Sequence, residues 1–247
     1  MLKLIYEDSF QVFLTAIYYA FYSKNQVTSI DTDNYTNVDM LTTVKYLETD
    51  MEKYEKVKDA IVIKIDPLAL KKIYTLYLSN NINKGMICYK YLKTAFNLGS
   101  DIHKHLYLDV VREVNLIERK VTLESHRFTG FVRFSLINNK FLYSSIEPDN
   151  NILELISPHF ERRFSNEYWI IHDTKRNIAS IYNKVSWEII EMNEEIYNSL
   201  KNYNDEFEDL WKNYFKSTAI KERTNPKLQK RMMPKRYWKN LTETKNK

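Results

Sequence analysis

Three glycines in 247 residues, at Gly85, Gly99 and Gly130, constrain this chain more than any other feature. Loops that bring backbone against a phosphate or pyrophosphate need several glycines close together, because a Cβ blocks that approach. The two nearest glycines here are fourteen positions apart. The chain therefore holds neither a P-loop nor a dinucleotide fingerprint. Nucleotide-driven motors and nicotinamide enzymes of the usual kind are excluded.

The one cysteine, Cys88, lies in the apolar stretch Met86-Ile87-Cys88-Tyr89. It forms no internal disulfide and cannot alone hold a zinc ion or an iron–sulfur cluster. It reads as a small buried hydrophobe in a reduced, cytoplasmic protein. The run Val12 to Phe21 is apolar but follows Glu7 and Asp8, with no basic stretch before it and no small-residue cleavage site. It is also too short to span a bilayer, so no membrane partner is expected.

Periodicity predicts an α+β fold. Leu2 to Tyr6 reads as a short strand, followed by a helix capped by Asp8 with Gln11 completing the box. Phe10, Phe13, Leu14, Ile17, Tyr18 and Phe21 then recur at helical spacing. Residues 25–50 are polar and read mostly as loop, with Val44 to Leu47 a short strand. Helical patterns dominate from Met51 to about Phe128. Asp66-Pro67 marks a cap and a restart, and Gly99 closes a helix that begins near Gly85. After Gly130 the period changes to two. Phe131–Ile137 and Lys140–Ile146 flank Asn138-Asn139, which suits a two-residue turn. Tyr168–Asp173 and Ile178–Tyr182 form a second hairpin around Lys175-Arg176, and Glu206 to Ala219 returns to helix. A helical N-terminal half packed with antiparallel hairpins follows, as a single domain over residues 1–247 with a basic tail from about 221 to 247.

That tail is the sharpest local signal. From Lys216 to Lys247 there are eleven basic residues against Glu222 and Glu243, a charge of +9; with +5 overall, the other 215 residues carry −4. Arg223, Lys227, Arg231, Lys235 and Arg236 lead up to Tyr237 and Trp238, with Lys239 just beyond, and are punctuated by Pro226 and Pro234. Cations beside aromatics suit phosphate contact with base stacking. The alternative is a solvated extension whose aromatics fold back onto the core.

A second cluster spans Glu124 to Phe134, where a helix delivers the chain into a hairpin. His126 and Arg127 sit at that junction. With a two-residue turn, Arg133 lies opposite Ser144, on the face of Phe131 and Ile146. An arginine there wants a carboxylate or a phosphate. Glu147 and Asp149, flanking Pro148, are candidate partners for it, in a structural ion pair or a phosphate-binding site. The histidines are few. His103-Lys104-His105 lacks the surrounding cysteines or the spacing of a zinc site, so neither a metal nor a cofactor is expected. His159, beside Arg162 and Arg163, and His172-Asp173 at a strand end are structural histidines or proton-transfer candidates.

Several stretches together carry a resemblance: His126-Arg127-Phe128-Thr129-Gly130-Phe131-Val132-Arg133-Phe134, Ile146-Glu147-Pro148-Asp149-Asn150-Asn151 and Pro158-His159-Phe160-Glu161-Arg162-Arg163-Phe164. The ending Arg223-Thr224-Asn225-Pro226-Lys227-Leu228-Gln229 with Met233-Pro234-Lys235-Arg236-Tyr237-Trp238 completes them. The chain resembles a bacterial family assigned to DNA metabolism and linked to a radical-SAM protein of DNA repair or modification. Other members join this domain to a uracil-DNA-glycosylase-like domain. The resemblance runs from Tyr6-Glu7-Asp8-Ser9-Phe10 to Trp238. The chain stops soon afterwards, so uracil excision is expected to come from another polypeptide. Radical-SAM chemistry needs three clustered cysteines, and the single Cys88 assigns it to the partner.

The leading expectation is a nucleic-acid-binding accessory protein that holds DNA through Arg127, Arg133, Arg163 and the tail and acts with the radical-SAM protein. One alternative is an enzyme acting on a damaged or modified nucleotide, with His126, Glu147, Asp149 or His159 handling protons. Another is a protein–protein adaptor whose tail docks on an acidic surface.

Overall fold

The computed structural model describes residues 1–32, 42–137, 140–192 and 225–241. Its elements make the fold α+β, and they cluster into two compact units, Met1–Thr122 and Leu123–Lys247. Helix α5 (Asp109–Phe131) contributes residues to both.

In the first unit β1 (Leu2–Tyr6) is the middle strand, with β2 (Val27–Asp31) and β3 (Thr43–Leu47) parallel to it on either side. All five residues of β1 are buried, and four of them are apolar. That is the pattern of a parallel strand covered on both faces. Lys3 is the exception, and its ammonium lies 4.0 Å from Asp31 of β2. Strand β3 falls where Val44 to Leu47 was read as a strand, and β2 corrects the reading of the residues before it as loop. Only Ile30 of β2 is fully buried, so the strand carries no apolar alternation that a periodicity reading could detect.

Helix α1 (Phe10–Tyr22) starts one residue later than expected. Ser9 is its N-cap, accepting a hydrogen bond from the Val12 amide at 3.2 Å, while Asp8 pairs with Lys84. Helices α2 (Met51–Lys64), α3 (Pro67–Tyr77) and α4 (Lys84–Leu98) follow, then a short 3₁₀ turn over Gly99–Lys104. Asp66 caps α3 as expected, accepting from the Ala69 amide at 2.7 Å. Gly99 ends α4 with φ +59°, a conformation that favours glycine. Gly85 serves a different purpose. A Cβ there would lie 2.3 Å from the Ile30 carbonyl oxygen, so α4 and β2 approach this closely only because position 85 has no side chain.

The second unit holds a five-stranded sheet in the order β4-β5-β6-β7-β8: β4 (Ser135–Ile137), β5 (Phe141–Ile146), β6 (Trp169–Asp173), β7 (Ile178–Tyr182) and β8 (Trp187–Glu191). The pairs β4/β5 and β6/β7 are the two expected antiparallel hairpins. They join through a parallel β5/β6 pair, bridged by the crossover helix α6 (Leu153–Arg163). β8 adds an antiparallel edge that the periodicity does not separate from its surroundings. Ser135 pairs with Tyr143 and Ile137 with Phe141, so the first hairpin is one residue out of the expected register. The Asn138-Asn139 turn and the Glu206–Ala219 helix lie outside the described residues.

Helix α6 packs on the sheet face that carries Trp169 and Tyr182. Those two rings stack at 5.2 Å, Phe160 meets Trp169 at 6.4 Å, and the Ser157 and Ser180 hydroxyls bond at 2.6 Å. Ile146 pairs with Asp173, so the loop leaving β5 and the turn leaving β6 emerge side by side. The described C-terminal segment is helix α7 (Pro226–Met232) followed by a 3₁₀ turn over Lys235–Asn240.

Candidate nucleic-acid interface

The centre of the second unit's polar chemistry is Glu124. Val111, Val114, Ile117, Val121, Glu124 and Phe128 follow one another along α5 at intervals of three and four, and all are buried. Glu124 thus places a carboxylate in an apolar stripe, 5 % exposed. A buried charge is tolerated only when its lone pairs are filled. The Asp149 amide (2.8 Å) and the Tyr237 hydroxyl (2.5 Å) donate to Oε1; the Asn150 amide (2.9 Å) and side-chain Nδ2 (2.6 Å) donate to Oε2. One carboxylate therefore ties the β5–α6 loop and the C-terminal segment to the same point.

Arg176 fixes that loop from the other side. Its guanidinium donates to the Asp173 carboxylate at 2.6 Å, to the Pro148 carbonyl at 3.2 Å, and to the Asp149 carbonyl. Asp173 is fully buried and also accepts from the Lys175 and Arg176 amides. Burial pushes its carboxyl above the usual range, and Arg176 pulls the other way. On the neighbouring strand the Tyr143 hydroxyl meets His172 Nδ1 at 2.9 Å, and burial holds that imidazole below its ordinary pKa.

The C-terminal segment docks through Tyr237. Its ring is 3 % exposed and packs against Phe128 at 4.9 Å and Phe131 at 5.9 Å. Burial, then the hydrogen bond to Glu124 and its charge, raise its ionisation well above the ordinary value, which keeps the hydroxyl a donor. The flanking cations meet acids of the β5–α6 loop: Arg236 bonds Asp149 at 2.8 Å and Lys239 pairs with Glu147. Trp238 donates its indole N–H to the Met233 carbonyl at 2.9 Å. Upstream, Asn225 caps α7 and no residue of that helix is buried. Among the described residues Lys227, Lys230 and Arg231 are exposed and make no ion pair; Lys235 is exposed and lies 5.7 Å from the Trp238 ring.

These placements redistribute the residues singled out from the sequence. Glu147, Asp149, Arg236 and Tyr237 are brought together. The ion pairs of Glu147 and Asp149 go to Lys239 and Arg236, not to Arg133 as expected. Arg133 falls before β4, where its guanidinium caps the end of α5 by donating to the Gly130 carbonyl at 2.7 Å and the Val132 carbonyl at 3.3 Å. His126 is exposed on α5, and its carbonyl accepts from the Thr129 hydroxyl; Arg127 is half-buried on the same helix. His159 and Arg163 lie on α6, where burial, then Arg163 and Arg162, lower the imidazole's pKa. His103 bonds Asp66 at 3.0 Å. Arg223 lies outside the described residues. Sequence reasoning missed the roles of Glu124 and Arg176. The signal for Glu124 was available as an acid on an otherwise apolar three-four stripe.

A mixed sheet crossed by one helix, with a basic segment anchored on a buried glutamate, defines the class of unit. The chain belongs to the family described as a domain of unknown function (DUF4130), whose match covers residues 83–243 and so spans every residue of this cluster. No curated protein and no solved structure matches the chain. No helix among the described residues is long and apolar enough to cross a membrane.

Proposed function

We propose that the chain is a nucleic-acid-binding accessory protein of DNA repair or modification. The observation that carries this reading is the placement of the basic segment. Lys227, Lys230 and Arg231 project from a helix that buries nothing, while Tyr237 a few residues on is held in the folded unit. Cations that neither pack nor pair among the described residues, yet are tied to a fixed framework, suit a polyanion whose charge repeats along its length. The family resemblance adds the context: a radical-SAM protein as the partner that performs the chemistry, with this chain holding or presenting the DNA. It also makes the bacterial setting and the kinship with glycosylase-fused members part of the proposal.

The test is fluorescence anisotropy with labelled single-stranded and duplex DNA across a salt series. Binding is expected to weaken linearly in log salt. Lys227→Gln/Lys230→Gln/Arg231→Gln is expected to flatten the slope on duplex DNA by about 2.7, at about 0.9 for each phosphate that is no longer neutralised. No binding of the parent protein at low salt would refute the proposal and favour the protein–protein adaptor.

A further inference from the structure

The C-terminal segment combines a buried anchor with two ion pairs that lie open to water. Tyr237 supplies the anchor, through a nearly fully buried ring and a hydrogen bond to a buried carboxylate. The ion pairs on either side are of another kind. The side chains of Arg236 and Asp149 are 56 % and 37 % exposed, and those of Lys239 and Glu147 57 % and 32 %. Ion pairs so open to water stabilise a fold little, because water and salt compete for both partners. Arg236 also donates to the Tyr237 hydroxyl at 2.9 Å and so touches the anchor, whereas the Lys239–Glu147 pair is made apart from it. The clear consequence of the two pairs is electrostatic: of the six cations between Asn225 and Leu241, they cancel Arg236 and Lys239.

We infer that Glu147 and Asp149 act as built-in competitors for nucleic-acid phosphate, occupying Arg236 and Lys239 and so limiting the strength and the salt dependence of DNA binding. This rests on the nucleic-acid reading above and names a regulation of that same surface. A carboxylate presents an arginine or lysine with the same anionic oxygens as a phosphodiester. The loop carrying the two acids is itself held rigid, by Glu124 through the Asp149 and Asn150 amides and by Arg176 through the Pro148 and Asp149 carbonyls. A fixed loop keeps the acids in place whether or not DNA is near. Each phosphate that reaches Arg236 or Lys239 must displace a carboxylate, which then gathers its own counterions. The net counterion release from these two sites is therefore close to zero.

The experiment compares the parent protein with Glu147→Gln/Asp149→Asn on a labelled DNA duplex over a salt series. The substitution is expected to tighten binding several-fold at low salt and to steepen the slope of log K against log salt by about 1.8, two sites at about 0.9 each. Adding Lys239→Gln to that protein, which leaves the Arg236–Tyr237 contact in place, is expected to remove about 0.9 of the gain in slope. If the double substitution fails to fold, the two single substitutions carry the same test, each with a slope change of about 0.9. A folded variant whose affinity and slope match or fall below the parent's overturns the inference. If the parent meanwhile keeps its dependence on Lys227, Lys230 and Arg231, the nucleic-acid reading stands. If no variant binds DNA, both fall.

Discussion

Replacing Glu124 by Gln tests the centre of the second unit with almost no change of shape. The carboxylate accepts four hydrogen bonds, two on each oxygen. An amide keeps one oxygen and turns the other position into a donor. If the amide oxygen faces Asn150, its NH₂ faces the Asp149 N–H and the Tyr237 hydroxyl. The hydroxyl can rotate and accept; the amide N–H cannot. The two bonds kept by the oxygen weaken from charge-assisted to neutral, about 1 kcal/mol each, and a buried N–H left without an acceptor costs about 1–3 kcal/mol. Together with the charge-assisted bond removed from Tyr237, the change is expected to destabilise by about 3–6 kcal/mol. That is a large share of the ~5–15 kcal/mol that holds a typical domain folded. Urea unfolding followed by tryptophan fluorescence measures it, with buried Trp169 as the reporter within the sheet. Tyr237→Phe completes a double-mutant cycle, and its coupling with Glu124→Gln should be at least about 1 kcal/mol, as for touching residues in one network. A Gln variant within about 1 kcal/mol of the parent would refute the reasoning, since it would mean the carboxylate's charge does not organise its four donors.

Arg176→Met leaves the buried Asp173 carboxylate without its guanidinium and frees the Pro148 and Asp149 carbonyls; a loss of about 3–5 kcal/mol is expected at neutral pH. Because burial already favours the protonated form of Asp173, the loss should shrink as pH falls, and a loss independent of pH would exclude the unpaired charge as its cause. His172 has a lowered folded pKa, so the unfolded chain binds the proton more tightly. Its contribution to stability is full above about 6.5 and declines as the pH drops through the folded value, by about 1.4 kcal/mol for each tenfold difference in proton affinity. Unfolding midpoints measured between pH 7 and 5 should fall less steeply in His172→Gln than in the parent.

Some of this was legible along the chain because it is decided locally. The Asp66-Pro67 start of α3, the Gly99 end of α4 and the β6/β7 hairpin each follow from the conformational limits of a few adjacent residues. The basic character of the tail is likewise a property of composition. Strands β1 and β3 were legible, but β2 and the parallel pairing were not, since such pairing is set by which strands a crossover brings together. The same holds for the parallel β5/β6 junction. It was that junction, with α6 between its strands, that set the loop after β5 beside the turn after β6. Most of the candidate site belongs to this second category. Glu147, Asp149, Arg236 and Tyr237 could be named from the sequence as charged or aromatic residues in dense stretches. Whether Asp149 would meet Arg133 or Arg236 depended on a one-residue register in a hairpin and on a segment nearly ninety positions away. Charge and local geometry are written in neighbouring residues. Partnership between charges depends on distances that exist only after the chain has packed, and tertiary structure alone decides it.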